Sequence, residues 1–273
     1  MLRAVRKLAG ISGEDLAARL GVSQSKVSRI ELGQVGLTPD LASRWAEACG
    51  GNEDRTGEIV SLAERVATEA SPFPSRWADG ITRFQHKVAG IEMSAGLTLN
   101  WHPRLVPGLL QTPAYAREIF ACAYPEGPEL SQAVAARMAR QAVLYDPSRT
   151  IRMVFGEAAL RWPIATVPTL VAQLDRLALF AADGTVQFGI VPFDAPFGAF
   201  SYHGWIIRAE RDDDEPDLVE VEVETAEVNI IDPAQTAAYR AAFEQLAAVA
   251  VYGDETAALI RRVRAELADR EAL

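Results

Sequence analysis

At 273 residues, with 49% hydrophobic residues and two cysteines, the chain is long enough for two compact domains with a real core. No apolar run approaches the roughly 20 residues needed to cross a bilayer, and Arg3, Arg6 and Lys7 lead into a polar helix rather than the apolar stretch of a signal peptide, which argues against membrane and secreted classes. The net charge of −10 is unevenly spread: residues 1–33 hold Arg3, Arg6, Lys7, Arg19, Lys26 and Arg29 against Glu14, Asp15 and Glu31, a net of +3, which leaves −13 for the rest. A locally positive face is all that contact with a polyanion requires, and an acidic body would repel it elsewhere. Cys49 and Cys122 sit in apolar helical contexts and are expected to be buried thiols of a reducing cytoplasm.

The first helix is expected over residues 2–9, with Leu2, Val5, Leu8 and Ala9 inward. Ser12 is an N-cap whose hydroxyl takes a free N–H of the next helix, and Leu16, Ala17 and Leu20 share that helix's inner face. Gly21 closes it where a left-handed residue is wanted. Ser23 caps a following helix that buries Val27 and Ile30, with Val22 packing in the turn and Ala17 kept small by the close crossing. This register reads as a DNA-binding helix-turn-helix. The outer side of its second helix carries Gln24, Ser25, Lys26, Ser28 and Arg29, donors and acceptors for base edges and phosphates with no acid among them. A purely structural hairpin is the alternative, but such hairpins tend to place Glu and Lys pairs outward.

At these residues the chain resembles the Xre family of lambda-repressor-like regulators, whose run of Leu-Ser-x-x-x-Leu-Ala-x-x-x-Gly-Val-Ser-x-x-x-Val-Ser-x-x-Glu-x-Gly is supplied here with Ile11 for the leading Leu. The resemblance implies that Gln24, Ser25 and Arg29 enter the major groove of double-stranded operator DNA while Ser12 and Lys26 hold phosphates. It also implies that Glu31 pairs with Arg6 to fix the fold. Position 13, usually Gln in that family, is Gly13 here, so only its backbone N–H remains for a phosphate.

Thr38-Pro39 opens a fourth helix to Cys49 that buries Leu41, Trp45 and Ala48, Gly50-Gly51 ends it, and Asn52 caps a fifth helix to about Ala70 with Ile59, Leu62 and Val66 inward. An all-α head over 1–70 is therefore followed by a linker at 71–80, where Pro72 and Pro74 break the helix, and by an α+β regulatory and dimerisation domain over 81–273. That second domain reads as a helix from about Trp77 to Met93, a strand Leu97–Trp101, and a turn at Pro107-Gly108 before a helix started by Thr112-Pro113. A helix Ser131–Tyr145, a strand Ile151–Phe155, a helix Leu170–Ala182 and a strand Val186–Val191 come next. Strands Ser201–Ala209, Leu218–Thr225 and Val228–Ile231, a helix from Asp232-Pro233 to about Val251 and a last helix from Asp254 complete it.

The runs Val106-Pro107-Gly108-Leu109-Leu110-Gln111-Thr112-Pro113-Ala114-Tyr115-Ala116, Arg137-Met138-Ala139-Arg140-Gln141 and Gly156-Glu157-Ala158-Ala159-Leu160 resemble the actinobacterial WhiJ-type regulators. That resemblance, over most of residues 80–262, implies a transcription factor with a small partner protein encoded nearby, and brings no agreed ligand with it.

His86, His102 and His203 have no companion at metal-ligand spacing, so no metal or cofactor is expected. Ser201-x-His203 lacks a strained nucleophile turn and no Gly-rich phosphate loop follows a strand, so no enzyme is expected. Asp212-Asp213-Asp214-Glu215 is a solvated turn or a docking patch for a basic partner. Val219, Val221 and Val223 alternate with Glu220, Glu222 and Glu224, which predicts one buried and one solvated acidic face. Trp101, Tyr115, Phe193, Phe197, Tyr202, His203 and Trp205 are either core or the lining of a small-molecule pocket. The expectation is a dimeric cytoplasmic regulator, nucleoid-associated when bound to DNA, with a small ligand or small partner protein as input. The alternatives are a protein-interaction module with DNA binding as a secondary output, and an enzyme tethered to DNA.

Overall fold

The computed structural model describes residues 2–31, 36–72, 80–122, 127–184, 186–196, 201–210, 217–223 and 226–271. Capping side chains set the helices of the N-terminal quarter: α1 Leu2–Leu8, α2 Gly13–Leu20, α3 Gln24–Glu31, α4 Pro39–Ala48 and α5 Glu53–Ala67. Ser12 Oγ accepts from Asp15 N at 3.0 Å, Thr38 Oγ1 from Leu41 N at 3.3 Å and Asn52 Oδ1 from Arg55 N at 3.1 Å, each satisfying a first-turn donor that has no helical partner. Gly21, at φ 69°, ends α2 in the left-handed conformation that a side chain would penalise. Leu16, Leu20, Val27, Ile30, Trp45 and Ile59 form one buried core. Removing each such side chain from water contributes roughly 1.5–3 kcal/mol.

Two expectations about the ends of helices in the head are corrected. Leu8 is 76% exposed and Ala9 lies beyond the helix, because Leu2 and Val5 already define the inner stripe and Leu8 turns away from it. The fifth helix stops at Ala67, and Thr68–Pro72 forms strand β1, so part of the expected helix end and linker joins a sheet. Pairing gives those backbone groups partners, and Pro72 is tolerated because β1 is an edge strand.

Beyond it lie α6 Ile81–Ser94, β2 Ala95–His102, α7 Pro113–Ala121, α8 Pro128–Arg140, β3 Thr150–Gly156, α9 Val167–Asp183 and β4 Phe188–Val191. Strands β5 Trp205–Glu210, β6 Leu218–Val223 and β7 Ala226–Ile230 precede α10 Pro233–Ala248 and α11 Gly253–Glu271. Among the described residues the sheet has seven strands in the order β1-β7-β6-β5-β2-β3-β4. The pairs β2–β3 and β3–β4 are parallel and the others antiparallel, so the second domain is α+β, as the sequence predicts. Residues 77–79, where the helix now called α6 was expected to begin, lie outside the described residues, as do Phe73, Pro74, Phe197, Glu224 and the acidic turn at 212–215. The helix expected to reach Tyr145 ends at Arg140 and continues as a 3-10 turn, Gln141–Tyr145. Among the described residues no helix is long and apolar enough to cross a membrane.

Strand alternation gives the sheet two unlike faces. One buries Leu99, Trp101, Val154, Trp205, Ile207 and Val219 against Phe243 and Leu246 of α10. Position 189 falls on this side opposite Val154 and is glycine because a Cβ there would meet the Tyr252 ring at 2.5 Å. The opposite face is apolar only at one end, where Met153, Phe155, Phe188 and Ile190 pack with Leu174 of α9 and Ile260 of α11.

Candidate nucleic-acid interface

The turn between α2 and α3 is held from both sides. Arg6 of α1 forms a double contact with Glu31 at the end of α3, Nε to Oε1 at 2.6 Å and Nη2 to Oε2 at 2.9 Å, and its Nη1 donates to Ile11 O at 2.9 Å. Both side chains are largely covered, and the Glu31 carboxylate raises the Arg6 pKa. This is the Arg6–Glu31 pair that the resemblance implies. Arg19 Nη1 donates to Ala48 O at 2.8 Å and Arg44 Nη2 to Leu20 O, pinning α2 to α4.

On that frame the start of α3 is open. Ser23, Gln24 and Ser25 are exposed, and Ser23 Oγ accepts from Lys26 N at 3.2 Å. Gly13, the first residue of α2, lies under Gln24: a Cβ there would sit 3.7 Å from Gln24 Nε2. The beginnings of two helices thus come together around one polar side chain, with the Ser12 hydroxyl exposed beside them. First-turn N–H groups suit phosphate oxygens, and a carboxamide suits an adenine edge. Ser28 and Arg29 follow on the same helix, half-buried.

Lys26 is a correction. Expected to reach a phosphate, it is only 4% exposed. It stands four residues from both Val22 and Ile30 and therefore shares their inward side, a spacing visible in the sequence. A four-carbon stem can serve as apolar cover.

Of the described residues proposed for a pocket in the second domain, Trp101, His203 and Trp205 lie together, and Tyr115 belongs to a different core. Tyr115 is fully buried in the core beneath α9 and α11, where burial pushes its phenol up to about 12. Trp101 and Trp205 pack in the α10 core with ring centroids 6.2 Å apart. The His203 ring lies edge-on to Trp205, and its Nε2 is 3.3 Å from the Tyr239 hydroxyl. Phe193 and Tyr202 are 69% and 88% exposed. Side chains on opposite faces of one sheet cannot line one cavity. A cleft of about 310 Å³ opens elsewhere, among Arg152, Val186, Phe188 and Tyr252.

Ser201 Oγ donates to the His203 carbonyl at 2.7 Å, not to its ring. Glu220, expected on a solvated face, is instead paired with the buried Arg208, whereas Glu222 is exposed. Cys49 is half-buried and Cys122 is exposed at the end of α7, contrary to the expectation that both thiols are buried.

The distinctive motifs of the second domain turn out to be polar fasteners. Gln111 Nε2 donates to Val106 O at 2.8 Å, and Gln111 Oε1 accepts from Arg137 Nη1 at 2.7 Å. Gln141 Nε2 donates to Gln111 O at 2.7 Å, and Gln173 of α9 bonds both Leu110 O and Thr112 N. Glu157, 3% exposed, accepts from Phe193 N at 3.0 Å and pairs with Arg161. Gln111, Arg137, Gln141 and Glu157 were legible as parts of motifs, but nothing local announces their partners.

A five-helix head that offers the open start of α3 beside the N-terminus of α2 is a helix-turn-helix, the fold of DNA-binding transcription regulators, and residues 2–55 match the helix-turn-helix family. Residues 85–262 match the family described as Domain of unknown function (DUF5753), and the chain belongs to that family. Among curated proteins and among solved structures no match to the chain was found.

Proposed function

We propose that the protein is a sequence-specific, cytoplasmic transcription regulator that binds double-stranded operator DNA as a homodimer and is not an enzyme. Its second domain receives the regulatory input, a small ligand or a small partner protein, and its resemblance to the WhiJ type fits that division of labour. The observation that carries the reading is the exposed Ser23-Gln24-Ser25 start of α3, seated over Gly13 and braced by the Arg6–Glu31 pair. Dimerisation follows from the small surface of one head: tight specific binding calls for two heads on a two-fold operator. The test is selection of bound sequences from a random duplex pool, followed by gel shift with the selected site. A two-fold sequence bound at least a thousandfold more tightly than random duplex at physiological salt supports the reading. Equal affinity for both overturns it.

A further inference from the structure

The head and the sheet meet at one corner, by two routes. Ile59 and Ala63 of α5 belong to the buried core of the head, and α5 runs into β1 with no residue between them. All five residues of β1 then pair with β7, from Thr68 opposite Ile230 to Pro72 opposite Ala226. Domains joined by a flexible linker move against one another. Here the segment that leaves the head is itself a strand of the second domain's sheet.

The second route enters between α3 and α4. Leu37 is part of the head's core, and its neighbour Gly36 lies against Ile231, the residue that follows β7. A Cβ on Gly36 would run into Ile231 Cδ1 and stand 3.3 Å from its Cγ2, so the two surfaces touch with no room for one more methyl group. Ile231 is buried, and close-packed contacts of this kind transmit displacement rather than absorb it.

Ile230 and Ile231 are consecutive, so both routes reach the same end of β7. One attachment would let the head swivel about it. Two attachments, arriving from positions 36 and 68, remove that freedom. Gly36 stands shortly after Glu31, the end of α3 that Arg6 braces. On the other side Asp232 caps α10, whose Phe243 packs in the same core as Ile230. The helix offered to DNA is thus tied by short, stiff steps to β7 and α10.

We propose that Gly36, Ile231 and β1 are positioning elements for DNA recognition: they hold the head in one attitude to the second domain, so that the second domain fixes which half-site spacing the homodimer accepts. Base preference stays with α3. This role deepens the reading of the protein as a dimeric DNA-binding regulator, and rests on that reading for its effect on spacing.

The first measurement needs no DNA: backbone amide NMR relaxation on the full chain, comparing α2 with α10. One common rotational correlation time is expected. A loosened variant, with Gly-Gly-Ser inserted between Ala67 and Thr68 together with Gly36→Val, should give the head a shorter correlation time than the second domain. Should that variant fail to fold, the same insertion with Ile231→Ala gives the same reading. A head that tumbles faster than the second domain in the unaltered chain overturns the proposal.

The second measurement is gel shift with the selected operator and with a copy whose half-sites stand about five base pairs further apart, half a helical turn. The unaltered chain should bind the altered copy at least about tenfold more weakly, and the loosened variant should lose less than about threefold. Equal losses in both chains, or none in either, overturn the proposal. Gly36→Ala should narrow the difference between the two spacings, and adding Ile231→Val, which removes Cδ1 alone, should restore it. A merely destabilised head would show no such rescue, and its absence overturns the part given to Gly36 and Ile231. If no duplex is selected, the DNA reading fails while common tumbling still upholds the fixed attitude. A fast-tumbling head in a chain that binds its operator sinks the positioning role alone.

Discussion

The two halves of the molecule treat polar groups in opposite ways. Among the described residues of the head, Lys26 is the lone buried polar side chain outside the Arg6–Glu31 brace, and the groups suited to recognition stand at the surface of α3. The second domain does the reverse, burying Gln85, Glu92, Asn100, Gln111, Glu157 and Arg208. The difference follows from what each has to meet. A duplex is a large external surface whose phosphates and base edges need groups already in water. In the second domain the buried groups meet other parts of the chain, as Gln111 does with Arg137 and Glu92 with Arg140, and fasten its elements together.

That contrast can be broken at several points, in order of expected effect. Arg140→Ala leaves Glu92 buried without its cation and should cost about 3–5 kcal/mol in urea unfolding of the second domain. The head should keep its helical signal through that transition, and a loss confined to less than about 1 kcal/mol would place the pair among the solvent-screened ones. Gln24→Ala acts on the other half: operator affinity should fall by about 1–3 kcal/mol, with relaxed base preference in gel shifts. Chain stability should move by no more than about 0.5 kcal/mol, because Gln24 is exposed.

A smaller effect is expected from pH. Burial lowers the His102 pKa, opposed by the Glu222 charge and assisted by that of Arg137, so the folded chain holds this ring neutral while the unfolded chain takes up a proton below about 6.5. The unfolded state then binds more protons, and the stability of the second domain is present above that pH and declines as pH falls from about 6.5. His102→Asn should flatten the decline in denaturant titrations between pH 7 and pH 5, and an unchanged slope would acquit the residue. The smallest effect belongs to Lys26→Met. If the stem serves as apolar cover, this variant keeps its stability and its salt dependence of operator binding, whereas a phosphate contact would lose about one unit of salt slope.

Much of the head was legible because its signals are local. Ser12, Thr38 and Asn52 each cap the helix that follows them, Gly21 takes the left-handed turn, and Leu16, Leu20, Val27 and Ile30 lie inward as their spacing requires. The same locality marked Thr112-Pro113 and Asp232-Pro233 as helix starts in the second domain. The failures share the opposite character. Thr68–Pro72 reads as a helix end and a proline-broken linker until β7, more than 150 residues later, offers it an edge to pair with. Alternation of Val and Glu in β6 showed correctly that the strand has two faces. Only the pairing with Arg208 on β5 draws Glu220 out of water, while Glu222 on the same side stays exposed.

By itself, then, the sequence determined where the capped helices begin, where the α2–α3 turn falls and which polar residues open α3, since caps, glycine conformations and helical periodicity act over a few residues. The tertiary structure alone decided that the aromatic residues belong to separate cores and that Thr98, Asn100 and Arg208 are covered on the sheet face turned away from α10. Burial is a property of what packs against a residue, and in a seven-stranded sheet those neighbours come from distant parts of the chain.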